Sequence, residues 1–213
     1  MKISGNTINV KFETIIDAKI HDVFPLTCPV MEYKWTNGWK CELIHCPNGY
    51  VELGCEFREI MTAPVLMGNI WGKTTWTCIK NDIVNFHRHF ELKNRISTSL
   101  LTIDMIPFED SKTKISFEII YNAISKRGEL LIMKGLTNKL EFVLSMLAME
   151  LKYYFKHNRM ISTSELTIFL NRADFLTFAD KYKLVLNKFA MAMMRDNDKK
   201  RFLAGKPVTK IKG

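Results

Sequence analysis

"KISFEIIYNAISKRGELLIMKGLTNKLEFVLSMLAMELKYYF", residues 114–155, changes its hydrophobic period once, and that change decides the fold. Its first part alternates, with Ile115, Phe117, Ile119 and Tyr121 on one side and Lys114, Ser116 and Glu118 on the other. That is the period of a half-buried strand. After Ser125, a residue suited to capping a helix, the apolar positions become Met133, Leu136, Leu140, Val143, Leu147, Leu151 and Tyr154. Steps of three and four place them on one helical face, so the spacing predicts a single long helix over 127–155.

The chain before this point reads as sheet. Ile8, Val10, Phe12 and Ile16 share one face of an opening strand, opposite Asn9, Lys11 and Glu13. Trp39, Cys41, Leu43 and His45 alternate next, followed by Pro47-Asn48-Gly49 and then Val51, Leu53, Cys55 and Phe57. Asn-Gly tolerates positive φ and suits a tight hairpin. Further strands are expected near 69–79, 83–91, 96–106 and 113–123. A sheet with one apolar face and a single long helix leads to one arrangement, with the helix lying across the sheet.

Residues 24–44, "FPLTCPVMEYKWTNGWKCELI", are the irregular connection between the first two strands. Pro25 and Pro29 interrupt any long helix there. Aromatic and sulfur-bearing side chains surround one acid, Glu32. The stretch is either a lid over an apolar pocket or a plug closing one end of a solid core.

Composition sets outer limits. The chain has 213 residues, 47% of them hydrophobic and 25% charged, ordinary values for a globular protein. The N-terminus runs straight into a strand pattern without a signal-peptide core, so a cytoplasmic location is expected. Five scattered cysteines suit a reducing compartment, and no disulfide framework is expected. Residues 1–156 carry a net charge of +2 and residues 157–213 a net of +7. This asymmetry divides the chain into a main domain, 1–156, and a basic helical extension, 157–213. Within the extension, Ser162-Thr163-Ser164-Glu165 has the form of a capping box.

Phe24-Pro25-Leu26, Cys28-Pro29-Val30, Glu32, Trp35, Gly38-Trp39, "VELGCEFRE" (51–59), "TTWTC" (74–78) and "YNAIS" (121–125) carry a family resemblance. Over about residues 7–156 the chain resembles the START/Bet v 1-like (SRPBCC) superfamily. Within it, the chain looks like a bacterial branch related to polyketide cyclases and dehydratases. The resemblance implies an α+β helix-grip fold, in which a curved seven-stranded antiparallel sheet wraps a long C-terminal helix around an internal cavity. It also implies that 24–44 supplies short helices at the cavity mouth.

Several constellations bear on chemistry. His87 and His89 stand two apart in "FHRHF" and, with His45 or a cysteine, have the makings of a metal site. The cysteine spacings match no zinc motif, a solvated strand face explains the pair, and no metal is expected. Val84, Phe86, Arg88 and Phe90 alternate as an inward set, which points a guanidinium into the interior. A buried arginine needs a carboxylate or an anionic ligand, and Glu32 is the nominated carboxylate; the alternative is a bulge or an arginine reaching solvent at the sheet edge. No nucleophile elbow, phosphate loop or dinucleotide fingerprint is present, so neither a cofactor nor a catalytic residue is assigned.

The resulting expectation is a protein that binds a hydrophobic or amphipathic small molecule, lipid-like or polyketide-like. The expected lining is Glu32, Trp39, Cys41, Leu43, Leu53, Cys55, Phe57, Trp76, Phe86, Arg88, Phe117 and Tyr121, closed from the helix by Leu136, Leu140, Val143 and Leu147. The rivals are a cyclase or dehydratase and a protein-interaction module with a filled interior. Apolar positions in 157–213 suggest a homodimer through the C-terminal helices, with an anionic membrane surface as the weaker alternative and nucleic acid not expected.

Overall fold

The structure, a computed structural model, describes residues 6–61, 73–162 and 165. β1 (Thr7–Ile16) leads into α1 (Ile20–Leu26) and a 3-10 helix (Pro29–Lys34). Six strands follow: β2 (Trp39–His45), β3 (Glu56–Met61), β4 (Thr75–Asp82), β5 (His87–Lys93), β6 (Ser97–Phe108) and β7 (Lys112–Ala123). Two helices, α2 (Lys126–Met133) and α3 (Leu136–His157), complete the described chain.

All seven strands form one antiparallel sheet in the order β1-β7-β6-β5-β4-β3-β2. β1 returns to pair with β7 along its whole length, from Thr7 opposite Asn122 to Ile16 opposite Thr113. The remaining strands meander. Alternation decides the faces: Ile115, Phe117, Ile119 and Tyr121 of β7 are buried, as are Val10 and Ile16 of β1. From α3, Leu136, Leu140, Leu144 and Leu151 join them in one core, and α3 runs against β1.

The single helix expected over 127–155 is two. Gly135 has φ 79°, a left-handed conformation that only glycine adopts without strain, and the helix restarts there. The apolar spacing continues through this break, which is why periodicity missed it. Met133, placed on the apolar face by spacing, is 80% exposed because α2 ends at that residue. Ser125 caps α2 as expected, its hydroxyl accepting from the Gly128 amide at 3.2 Å. Gly128 itself is required by close packing, since a Cβ there would lie 2.4 Å from the Ile96 carbonyl.

The connection from β2 to β3 is longer than a tight hairpin. Asn48-Gly49 does turn, but a second turn follows at Glu52–Cys55, with Gly54 at φ 82° and the Cys55 amide donating to the Glu52 carbonyl. Pairing resumes with His45 opposite Glu56, so Cys46 and Cys55 face each other with Cα atoms 4.8 Å apart and form a disulfide. The expectation of no disulfide is corrected: a turn at Asn48-Gly49 alone implied a register in which these residues do not meet. β4 is observed from Thr75, and residues 62–72 lie outside the described residues. β5 begins at His87 rather than near Ile83, because the chain turns there with Phe86 at φ 58°.

No helix among the described residues is long and apolar enough to cross a membrane. The capping box forms, with the Ser162 amide donating to Glu165 and the Glu165 amide donating to the Ser162 hydroxyl. Expectations for the rest of the extension, 166–213, lie outside the described residues.

Candidate ligand-binding site

The chain between β1 and β2 forms two short helices because its prolines permit nothing longer, and indole side chains fasten them. Trp35 Nε1 donates to the Leu26 carbonyl at 2.8 Å, and Trp39 Nε1 donates to the Pro29 carbonyl at 2.7 Å. Both indoles are buried, so each satisfies a carbonyl at a helix terminus while filling the interior. The 3-10 helix thereby presents Glu32 inward, 9% exposed.

Glu32 faces two other carboxyl groups. Glu59 reaches in from β3, where it shares the parity of Phe57, and accepts from Trp76 Nε1 at 3.1 Å. Glu150 comes from α3 and is fully buried. Burial, followed by repulsion from Glu59 and Glu150, pushes Glu32 up to about 8. Burial raises Glu150 to about 8, partly offset by the Asn37 backbone amide. It raises Glu59 to about 7 against the opposing Trp76 hydrogen bond. Cys41, half-buried beside Glu32, is pushed to about 11 by burial and then by Glu32 and Cys28. Near neutral pH these carboxyls are therefore substantially protonated.

Aromatic rings wall this acidic end. Trp76 lies 5.5 Å from Phe57, 5.8 Å from Phe90 and 6.0 Å from Trp39 between ring centroids. The rings come from β2, β3, β4 and β5: Phe57 and Trp76 are directly opposite, while Phe90, opposite Cys78, and Trp39, opposite Met61, reach Trp76 diagonally. The result is an apolar wall with convergent polar groups, the general character of a small-molecule site.

Arg88 is the second buried polar feature. It points inward as the alternation indicated, yet Glu32 is not its partner. Nε donates to Asn81 Oδ1 at 2.9 Å, and Nη1 donates to the Phe24 carbonyl at 2.9 Å and to Thr27 Oγ1 at 3.4 Å. Its guanidinium sits 4.0 Å above the Phe24 ring. The Phe24 carbonyl lies at the end of α1, where it also accepts from the Thr27 hydroxyl at 2.9 Å, so Arg88 adds a donor to the cap of that helix. Arg88 thus clamps α1 to the sheet, and helix-terminal carbonyls took the place assigned to a carboxylate.

No family model matches the chain, and no curated protein matches it. Solved structures do. A conserved protein from Geobacillus kaustophilus superposes with a TM-score of 0.53 at 12% identity, covering 71% of this chain and 97% of that one. Norcoclaurine synthase from Thalictrum flavum, in complex with dopamine and hydroxybenzaldehyde, gives 0.52 at 13% identity, covering 71% and 88%. A protein from Thermus thermophilus gives 0.51 at 15%, covering 68% and 95%. The fold is the Bet v 1-like helix grip.

Within this helix grip the expected lining divides. Trp39, Phe57 and Trp76 are buried in the aromatic wall, with Cys41 at its edge. Phe117, Tyr121, Leu136 and Leu140 are buried in the central core, and Leu147 is half-buried against it. Val143 is buried but is not part of that core; Leu144 occupies the expected position. Phe86 sits in a turn, its half-buried ring edge-on to Phe24 and His21. Leu43 and Leu53 are corrected outright, at 45% and 73% exposed. Leu43 lies on β2, the edge strand of the sheet, and Leu53 lies in the second turn rather than on a strand. Cys55 is buried but held in the disulfide.

Leu53 instead borders a groove of about 520 Å³ with Ile79, Asn81, Ile83 and Val84, on the rim at the β4–β5 turn. His87 pairs with Asp104, Nδ1 to Oδ1 at 2.6 Å, and the described residues contain no group of three His, Cys, Asp or Glu able to hold a metal ion. Glu59 and Glu150 were missed by sequence reading. Both carried a signal: Glu59 shares the inward parity of Cys55 and Phe57, and Glu150 falls at helical spacing with Val143, Leu147 and Tyr154.

Proposed function

We propose that the protein binds a hydrophobic or amphipathic small molecule at the end of the helix grip where the 3-10 helix, β2 to β4 and α3 meet. The observation that carries this reading is the aromatic wall of Trp39, Phe57, Trp76 and Phe90 faced by Glu32, Glu59 and Glu150. Carboxyl groups are costly to bury without partners, and a bound molecule that hydrogen-bonds to them offsets that cost. Norcoclaurine synthase, of the same fold, forms a complex with dopamine and hydroxybenzaldehyde, which supports a small-molecule-binding reading.

The test is titration with a fluorescent fatty acid, read by quenching of tryptophan emission, on wild type and two variants. Cys41→Trp, which fills the edge of the site, should abolish binding. Leu43→Trp, two residues along the same strand and exposed, should not. Loss of binding in neither variant, or no binding by wild type, overturns the reading.

A second reading is favoured by the protonation of the same carboxyls. A protonated Glu32 beside Glu59 is a general acid poised near neutral pH, the equipment of a cyclase or dehydratase acting on a polyketide-like substrate. Turnover of such a substrate, lost in Glu32→Gln with the fold intact, would establish it.

A further inference from the structure

We infer that the molecule taken at the acidic end carries an organic ammonium head, as in an aromatic amine; this rests on the binding reading above. Glu32, Glu59 and Glu150 come from three elements; Glu59 accepts from the Trp76 indole of the aromatic wall, and Glu59 and Glu150 both act on Glu32. In their charged form they offer acceptors only. Among the described residues the buried side chains include one cation, Arg88, whose Nε and Nη1 donate to Asn81, Phe24 and Thr27 rather than to an acid. The charged neighbours acting on Glu32 are both carboxyls, so the protein itself does not neutralise this end.

Two further groups point to a missing donor. The Thr36 hydroxyl, 1% exposed and held next to the 3-10 helix by its amide bond to the Glu32 carbonyl, has no hydrogen-bond partner. The fully buried carboxyl oxygens of Glu150 also lack a hydrogen bond of good geometry. An ammonium supplies three donors and no acceptor, complementing such a set. Trp39 and Trp76 supply the ring faces that attract cations. An anionic head group would meet repulsion instead.

Glu32 and Glu150, raised to about 8, are largely protonated near neutral pH, so taking up an ammonium beside them displaces a proton. Calorimetric titration with 2-phenylethylamine and its neutral counterpart 2-phenylethanol reads both effects. At pH 7.5 the amine should bind at least about tenfold tighter, with a buffer-dependent heat reporting close to one proton released. Its affinity should rise roughly tenfold from pH 6.5 to 7.5, because the proton to be displaced becomes easier to remove. Glu32→Gln and, separately, Glu150→Gln should bring the amine-to-alcohol ratio toward one, with folding checked by circular dichroism. Glu42→Gln, exposed on β2, should leave the ratio unchanged. Equal affinity of wild type for both ligands, or a preference surviving both site variants, overturns the inference. If the fatty-acid probe binds and the amine does not, the ammonium head is overturned and the binding reading stands. If no probe binds, both fall.

Discussion

Two polar regions are buried in this helix grip, and they are solved in opposite ways. Around Arg88, a single cation meets a helix-terminal carbonyl, a hydroxyl, an amide oxygen and an aromatic face, all from the protein. Around Glu32, three acids meet one another. The Trp76 indole and the Asn37 amide are the hydrogen bonds that act against burial there. A satisfied buried charge rigidifies the structure that holds it; poorly satisfied ones destabilise it and persist where a site needs them. The Arg88 end is therefore architecture, and the carboxyl end is the position proposed for a ligand.

The comparison breaks most easily on pH. Glu32, Glu59 and Glu150 have folded-state pKa values above the ordinary 4.5, at about 8, 7 and 8. The folded protein therefore binds extra protons, and the stabilisation they give is complete below about pH 4.5 and lost as pH rises toward about 8. Glu165 and Asp82 are shifted the other way, by hydrogen bonds chiefly from Arg159 and from Asn85, and lose their contribution in acid. Urea unfolding should thus show a maximum near about pH 5, with on the order of 4 kcal/mol lost by pH 8 from Glu32 alone. The three acids are coupled, so their effects will not add. A flat profile from pH 5 to 8 would remove the distinction between the two regions.

Next in size is Arg88→Met, which leaves the Asn81 oxygen without its donor and takes one donor from the Phe24 carbonyl, which keeps the Thr27 hydroxyl. The loss should be about 3 kcal/mol, similar at pH 5 and pH 8, measured by the same unfolding experiment. A loss below about 1 kcal/mol would mean that α1 is held to the sheet by other contacts.

Glu32→Gln should act with the opposite sign. At pH 8 it removes a buried acid that resists ionisation, and a gain of about 2 kcal/mol is expected, shrinking to nothing near pH 5. Destabilisation at both pH values would show that the carboxyl is already satisfied. Smallest is Ser125→Ala, which removes the α2 cap at a site belonging to neither region. It should cost about 1 kcal/mol and leave the pH profile unchanged. A changed profile there would show that the acids respond to the whole domain rather than to their own surroundings.

Much of the fold was legible because it rests on local period. Alternation placed Val10, Ile16, Phe117 and Tyr121 inside, and the switch of period after Ser125 located the helices. Inward-facing Arg88 was also legible, since Phe90 two residues on settles the parity. Its partners were not, because the Phe24 carbonyl lies 64 residues away and main-chain acceptors leave no mark in a sequence.

By itself the sequence determined which faces of strands and helices are apolar, where helices can start, and hence the order of a helix grip. These follow from side-chain chemistry over a few neighbouring residues. Only the tertiary structure decided the register past Asn48-Gly49 that joins Cys46 to Cys55, and the break at Gly135. It alone brought Glu32, Glu59 and Glu150 into one electrostatic neighbourhood. Those outcomes depend on distances between elements far apart in the chain, and the repulsion among these three acids exists only once the sheet has closed around them.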